Sequence, residues 1–426
     1  MKVLVVGSGG REHALAWKSA QSEMVDQVYI APGNAGTATD PGVENIDIRV
    51  GDFDGLIEFA TSRDVDLTIV GPEVPLVDGI CDRFAAAGLS CFGPSQRAAQ
   101  LEGSKAFTKE FLDRHNIPTA EYESFTVLAE AEAYIGAKGA PIVIKADGLA
   151  AGKGVVVAHT EAEALAAVRD MMSGSAFGDS GKKLVIEEFL DGEEISFICL
   201  CDGKHAVPFA TSQDHKARDD GDKGPNTGGM GAYSPAPGVT PELHQRIMDD
   251  VIVPTVAGMA ADGAPYVGFL YAGLMIMPDG NPKVIEYNCR FGDPEAQPVL
   301  MRLKTDLVML CERALSGDLA DVSLSWDERT ALGVVIAAGG YPTSYRKGDV
   351  INGLDTFTDP SVKVFHAGTR LEAGVAVTDG GRVLCVVGLG DDVATAQQAA
   401  YAGVARIDWR DHYFRHDIGH RGIDRR

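Results

Sequence analysis

In Lys283-Val284-Ile285-Glu286-Tyr287-Asn288 an acid and an amide stand two residues apart in a run that alternates like a strand. That period puts Glu286 and Asn288 on one face, two hard oxygen donors about 6–7 Å apart along the backbone. Magnesium takes such oxygens, keeps waters and completes its shell with substrate phosphates, so the pair is a candidate metal site. A strand that ends in two solvated polar residues would look the same. Arg290 follows, in Cys289-Arg290-Phe291-Gly292-Asp293-Pro294-Glu295, and its guanidinium could clamp a carboxylate or phosphate bidentately. Its competing use is a surface ion pair with Asp293 or Glu295.

Two glycine-rich turns could hold phosphate. Gly7-Ser8-Gly9-Gly10-Arg11-Glu12 follows an apolar run and opens a helix, where backbone N–H groups and the helix dipole attract an anion. A dinucleotide fingerprint would want glycine at position 12 and an acid after the second strand. Glu12 stands there instead, and the second strand runs into Ala31-Pro32-Gly33-Asn34. NAD is therefore disfavoured, and Gly9, Gly10 and Arg11 suggest a monophosphate; a tight turn with no ligand is the plainer alternative. Asp147-Gly148-Leu149-Ala150-Ala151-Gly152-Lys153-Gly154 has short glycine spacing for a P-loop, and glycine replaces the Ser/Thr that would hold magnesium. Strands flank it on both sides, which makes it a hairpin tip able to close on a phosphate chain, with Lys145 and Lys153 as cations. An ordinary Gly-rich hairpin is the alternative.

Other signals are weaker. His412, His416 and His420 share helical spacing in a polar context broken by Gly419, a poor metal site. Asp219-Asp220-Gly221-Asp222-Lys223-Gly224 lacks the register and terminal Glu of a calcium loop. No Ser-His-Asp or Cys-His signature is present.

The elements that must position these groups follow from pattern. The chain has 426 residues with 38 Lys+Arg against 61 Asp+Glu, a net charge of −23. So acidic a surface repels nucleic acid and anionic membranes, and any substrate phosphate must meet a local cationic pocket. No apolar stretch approaches a membrane span, and Met1–Val6 reads as a first strand rather than a signal. The seven cysteines include no CxxC pair; Cys199 and Cys201 alternate as strand packing does, and a reducing cytoplasm fits. Residues 1–100 alternate strands (2–6, 27–30, 67–70) with helices (11–19, 78–87), the pattern of a parallel α/β sheet. From Gly103 a helix over 105–115 leads to strands at 141–145 and 155–158, a helix over 161–172, and strands at 184–189 and 195–201. Residues 212–238 are Gly-, Pro- and Asp-rich with little periodicity, the mark of a functional or disordered loop. A helix near 241–261 and strands at 273–277 and 282–288 close this part. From about Ser325 short strands (331–338, 363–367, 382–389) and one helix (393–404) make a β-rich third unit.

Together these residues resemble the phosphoribosylamine–glycine ligases (glycinamide ribonucleotide synthetases), ATP-grasp enzymes of de novo purine synthesis. The matching blocks run in order along the whole chain: Val6–His13, Ala31–Gly36, Val70–Glu73, Gly103–Lys105, Ile144–Ala150, Glu187–Leu190, Gly228–Tyr233 and Asn288–Glu295. The resemblance implies an N-terminal α/β substrate-binding domain over 1–103. An ATP-grasp domain would span 104–325, with a smaller lid subdomain about 121–190, and a β-rich domain 326–426. Glu187 and Leu190 would meet adenine through their backbone, and Glu194 the ribose hydroxyls. Lys105 and Lys145 would neutralise the phosphates under the 147–154 loop, with Gly152 and Lys153 in it. Glu286 and Asn288 would hold Mg2+ or Mn2+. Gly273-Leu274-Met275-Ile276-Met277 is apolar where other ATP-grasp enzymes often carry a further acid, which leaves the metal count open.

The implied reaction has glycine's carboxylate attack the γ-phosphate of ATP to give glycyl phosphate, whose acyl carbon the amine of 5-phosphoribosylamine then attacks. Such chemistry needs positioning, charge neutralisation and exclusion of water. The 147–154 and 212–238 stretches are the expected lids. Charge alone suggests Asp214 for the ammonium and Arg290 for the carboxylate of glycine. Expected partners are small molecules, with no nucleic acid or membrane, in a cytoplasmic monomer; transient contact with neighbouring pathway enzymes stays open. The rivals are another carboxylate–amine ligase, a nicotinamide oxidoreductase and a silent nucleotide sensor.

Overall fold

The computed structural model describes residues 1–149, 154–173 and 183–425. Four larger sheets organise the described residues. The first is parallel, in the order Val43–Asn45, Gln27–Pro32, Lys2–Gly7, Leu67–Val70, Cys91–Phe92. Val3 to Val6 are all fully buried at its centre, which is why that strand is continuously apolar instead of alternating. The strand order reverses between Lys2–Gly7 and Leu67–Val70, and Arg11 and Glu73, just beyond their carboxyl ends, face a cavity.

A smaller antiparallel sheet runs Tyr122–Phe125, Leu184–Glu188, Ile142–Ala146, Val155–Ala158. The helices Leu128–Lys138 and Glu161–Met172 pack on it around Ile135, Ile144, Val168 and Ile186. Lys145 pairs with Val155, so the glycine-rich stretch is the tip of a hairpin, as expected; positions 150–153 lie outside the described residues. The central sheet runs Ala206–Pro208, Glu193–Asp202, Val267–Ile276, Pro282–Asn288, all antiparallel. Cys199 and Cys201 both point into its core, the packing role their alternation suggested.

The fourth sheet corrects the expectation of an irregular lid over 212–238. Its order is Gln213–Asp214, Gly231–Ser234, Thr330–Ala337, Arg382–Gly390, Val362–His366. Two strands from that aperiodic stretch therefore extend the sheet of the C-terminal unit, and Lys223–Asn226 pairs back on Ala217–Asp219. Such short strands leave no readable period. The helix Val393–Val404 lies close on this sheet because Gly388 has no side chain; a Cβ there would come within 2.5 Å of Ala400 N.

The helix expected over 78–87 is present as Ile80–Ala86, and a separate short helix, Glu73–Val77, precedes it across Gly79 with φ +88°. The one over 241–261 contains a π-turn at Met248–Ile252, just ahead of Pro254, which has no N–H to give. No helix among the described residues is long and apolar enough to cross a membrane.

Candidate active site

Three of these sheets, with Arg11 and Glu73 from helices that follow strands of the parallel one, wall one cavity of about 620 Å³. Lys145 ends the Ile142–Ala146 strand and is buried. Its Nζ donates to Ile285 O at 3.0 Å and pairs with Glu187 Oε1 at 2.9 Å. The same Glu187 carboxylate meets Lys109 Nζ at 3.0 Å. Two lysines on one acid leave a surplus positive charge at the cavity wall. Burial draws Lys109 down to about 8 against the pull of Glu187. Ile285 O is free for Lys145 because the strand bulges there: Gly273 pairs with Glu286 and Leu274 with Val284, and Ile285 has no opposite residue. The bulge also switches faces. Val284 and Tyr287 both enter the core, while Ile285, Glu286 and Asn288 line the cavity, which Tyr287 also borders.

Glu286 is held ionised, with a carboxyl near 2, by Lys216 first, against the cost of burial, and then by Lys145 and Lys105. Lys216 Nζ lies 3.3 Å from Glu286 Oε1 and also bonds Glu194. Lys105 Nζ donates to Gly148 O at 2.8 Å, tying the base of the hairpin tip to the next lysine. Asp214 is buried on the same side as Lys216. No hydrogen-bond or ion-pair partner reaches its carboxylate among the described residues. Burial, with Glu295, Glu194 and Glu286 nearby, pushes its carboxyl well up although Lys216 opposes this. A ligand cation would relieve that repulsion.

Arg290 faces the same space. Its Nη2 pairs with Glu102 Oε1 at 2.9 Å, Nη1 donates to Phe291 O at 3.2 Å, and Nε lies 3.4 Å from Glu73. The expected partners Asp293 and Glu295 are not the ones it takes; Asp293 pairs with Arg382 at 2.7 Å, and Glu295 accepts from Ser196 Oγ at 2.9 Å. Nε has no hydrogen-bond partner, an unspent donor beside the cavity.

The N-terminal turn is closed by its own side chains. Gly9 N donates to Glu12 Oε2 at 2.6 Å, and Glu12 Oε1 accepts from Arg11 Nε at 2.5 Å. Glu12 thus fills the anion site of its own helix, the physical reason a dinucleotide has no place there. Gly10 is walled off too, since a Cβ on it would lie 2.4 Å from Gln297 Nε2. Of Gly9, Gly10 and Arg11, only Arg11 lines the cavity.

Lys105, Lys145, Glu187, Leu190, Glu194, Asp214, Glu286, Asn288 and Arg290 all line this one space, whereas Gly152 and Lys153 lie outside the described residues. Sequence reasoning missed Lys216, Lys109 and Glu102. Lys216 was legible, for Asp214-His215-Lys216 places acid and lysine on one side at strand period. The calcium-like acids already have side-chain partners: Asp219 has Arg218, Asp220 has His416, and Asp222 has Arg415 and Arg421. Among the described residues no three or more His, Cys, Asp or Glu side chains form a metal cluster. A metal at Glu286 and Asn288 fits as hard oxygens on one face, but would need phosphate oxygens or waters to complete its shell.

A nucleotide-sized cavity between a hairpin sheet and a larger antiparallel sheet, behind an N-terminal parallel domain, is the ATP-grasp arrangement. The biotin carboxylase domain of 2-oxoglutarate carboxylase from Hydrogenobacter thermophilus shares this fold, with a TM-score of 0.75 and 17% identity over 97% of this chain and 91% of that one. Residues 1–102, 103–296 and 331–421 match the N, ATP-grasp (A) and C domains of phosphoribosylglycinamide synthetase, and the chain belongs to that family. It is 64% identical to phosphoribosylamine–glycine ligase of Allochromatium vinosum, over 100% of this chain and 99% of that one. With the Escherichia coli K12 protein of the same name the identity is 63%, over 100% and 99%. The crystal structure of phosphoribosylamine–glycine ligase from Thermotoga maritima superposes with a TM-score of 0.82 at 32% identity, covering 98% of this chain and 100% of that one.

Proposed function

We propose that this chain ligates glycine to 5-phosphoribosylamine at the expense of ATP, giving N1-(5-phosphoribosyl)glycinamide, ADP and phosphate, the second step of de novo purine synthesis. The observation that carries the reading is the meeting in one cavity of three lysines (Lys105, Lys145, Lys216), a buried acid without a side-chain partner among the described residues, Asp214, and an arginine with a donor left without a hydrogen bond, Arg290.

On this reading the triphosphate lies along Lys105 and Lys145, under the hairpin tip that carries Gly152 and Lys153. Its adenine meets the Glu187–Leu190 segment, and its ribose Glu194 once Lys216 yields. Glycine is held by its ammonium on Asp214 and its carboxylate on Arg290, which aims a carboxylate oxygen at the γ-phosphorus. Transfer forms the carboxylate–phosphorus bond and releases ADP; the neutral amine of phosphoribosylamine then attacks the acyl carbon and phosphate leaves with the electron pair. Lysine charge and fixed orientation account for most of what phosphoryl transfer needs. Glu286 and Asn288 would hold Mg2+ or Mn2+, which would supply charge neutralisation at the phosphates. Arg11 is the remaining N-terminal candidate for the sugar phosphate. The substrates are small and polar, which suits a cytoplasmic enzyme with no nucleic-acid or membrane partner.

ADP release is measured with Mg-ATP, glycine and phosphoribosylamine generated in situ, leaving out each in turn. ADP that needs all three, with one glycinamide product per ADP, is expected. ATP bound without ADP release would retain the fold and remove the substrate assignment. Arg290→Lys should raise the glycine KM, because a point charge cannot replace a planar fork; unchanged glycine kinetics would remove Arg290 from that role.

A further inference from the structure

Glu102 closes the short helix Gln100–Gly103 at the cavity wall, its side chain only 7% exposed. One carboxylate oxygen accepts from Cys289 N at 2.7 Å, and the other pairs with Arg290 Nη2 at 2.9 Å. With the Asn288 amide turned so that both its ends find partners, Nδ2 donates to Tyr287 O at 3.3 Å and to Glu102 Oε1 at 3.1 Å. A single carboxylate therefore touches three consecutive residues, 288, 289 and 290.

We propose that Glu102 is a positioning residue which sets the Asn288 amide and the Arg290 guanidinium together, so that the metal-side oxygen and the glycine clamp are held in register. This rests on the ligase reading above. The chemistry is directional. A carboxylate only accepts, so it draws the NH2 end of Asn288 toward itself and turns Oδ1, the sole atom of that side chain able to ligate a hard cation, the other way. It also takes one face of Arg290, which leaves Nε without a hydrogen bond, 3.4 Å from Glu73. Cys289 N anchors the segment between them. A glutamine at 102 would present an NH2 to at least one of these donors, whichever way it turned.

The test uses the full-length enzyme. Glu102→Gln is compared with wild type for glycine KM and kcat, and for Mn2+ affinity by electron paramagnetic resonance with a non-hydrolysable ATP analogue. The expected result is a loss of about 10–100-fold in Mn2+ affinity and a comparable rise in glycine KM, as for outer partners of metal ligands elsewhere. Affinity for the metal-free nucleotide should stay at the wild-type value, a split that a general loss of packing would not give. If Glu102→Gln does not fold, Glu102→Asp keeps the charge and withdraws it by one methylene. It should show the same split to a lesser degree. A folded variant of either kind with wild-type glycine KM and Mn2+ affinity overturns the proposal. If wild type itself binds Mn2+-nucleotide but not glycine, it is the ligase reading that fails.

Discussion

Lys145 and Lys109 divide one carboxylate between them, and this sharing governs what substitutions at Glu187 do. Glu187→Gln removes the acid that pairs with both, and uncompensated buried charge costs about 3–5 kcal/mol. We expect a lower melting temperature and a higher ATP KM; a variant as stable as wild type would mean that the lysines had found water instead. The glycines around Glu12 make a second case. A Cβ on Gly71 would lie 2.2 Å from Glu12 Oε1, so Gly71→Ala must push Glu12 off Gly9 N and Arg11. The phosphoribosylamine KM should rise while ATP KM holds, and unchanged kinetics for both substrates would count against a role for Arg11. At this scale the sequence showed which residue types face one another but not which pairs form. Arg290 is the example, since Glu73 and Glu102, its actual partners, are more than 180 residues away in the chain.

Among the elements, the hairpin sheet can be perturbed without touching a ligand contact. Thr160 caps the helix Glu161–Met172, its side chain accepting from Glu163 N while Glu163 reaches back. Thr160→Ala should cost about 1 kcal/mol of local stability. Amide exchange should quicken in that helix and the Ile142–Ala158 hairpin, with kcat near wild type. Uniformly faster exchange across the molecule would show that this part does not open by itself. The hairpin was legible because strands flank its glycines on both sides. The bulge at Ile285 was not, since its cause is the mismatched register of the partner strand Val267–Ile276.

Across the molecule, the first and last parts are joined by buried histidines. His13 Nε2 lies 2.9 Å from Asp40, and its Nδ1 accepts from His366 N at 2.8 Å, so the ring is neutral with its proton toward Asp40. Lys363 closes the set on Asp40 at 2.8 Å. On the other side of the C-terminal sheet, His215 accepts from Gly419 N at 3.1 Å. Burial brings both His366 and His215 down to about 3. Their unfolded values lie near 6.5, so between pH 6.5 and 3 the unfolded chain binds more protons and stability falls as pH falls. At pH 5 the loss is about 2 kcal/mol for each histidine. Urea midpoints at pH 7 and pH 5 should differ accordingly, and a flat profile would mean that these rings are hydrated.

The sequence by itself determined the class of this protein. Apolar strands alternating with helices specify a parallel sheet, Gly-rich turns between strands specify a hairpin tip, and eight ordered motif blocks specify the family, all through local pattern. Glu286 and Asn288 shared a face in the sequence and share a wall in the structure, because the bulge falls one residue before them. Only the tertiary structure decided that Glu12 fills its own anion site, that 212–238 builds sheet instead of a loose lid, and that Lys216 and Glu102 belong to the site. Each of these depends on contacts between distant segments. Charge pairing across a fold is set by which surfaces the packed sheets bring within a few ångströms, and no local period encodes that.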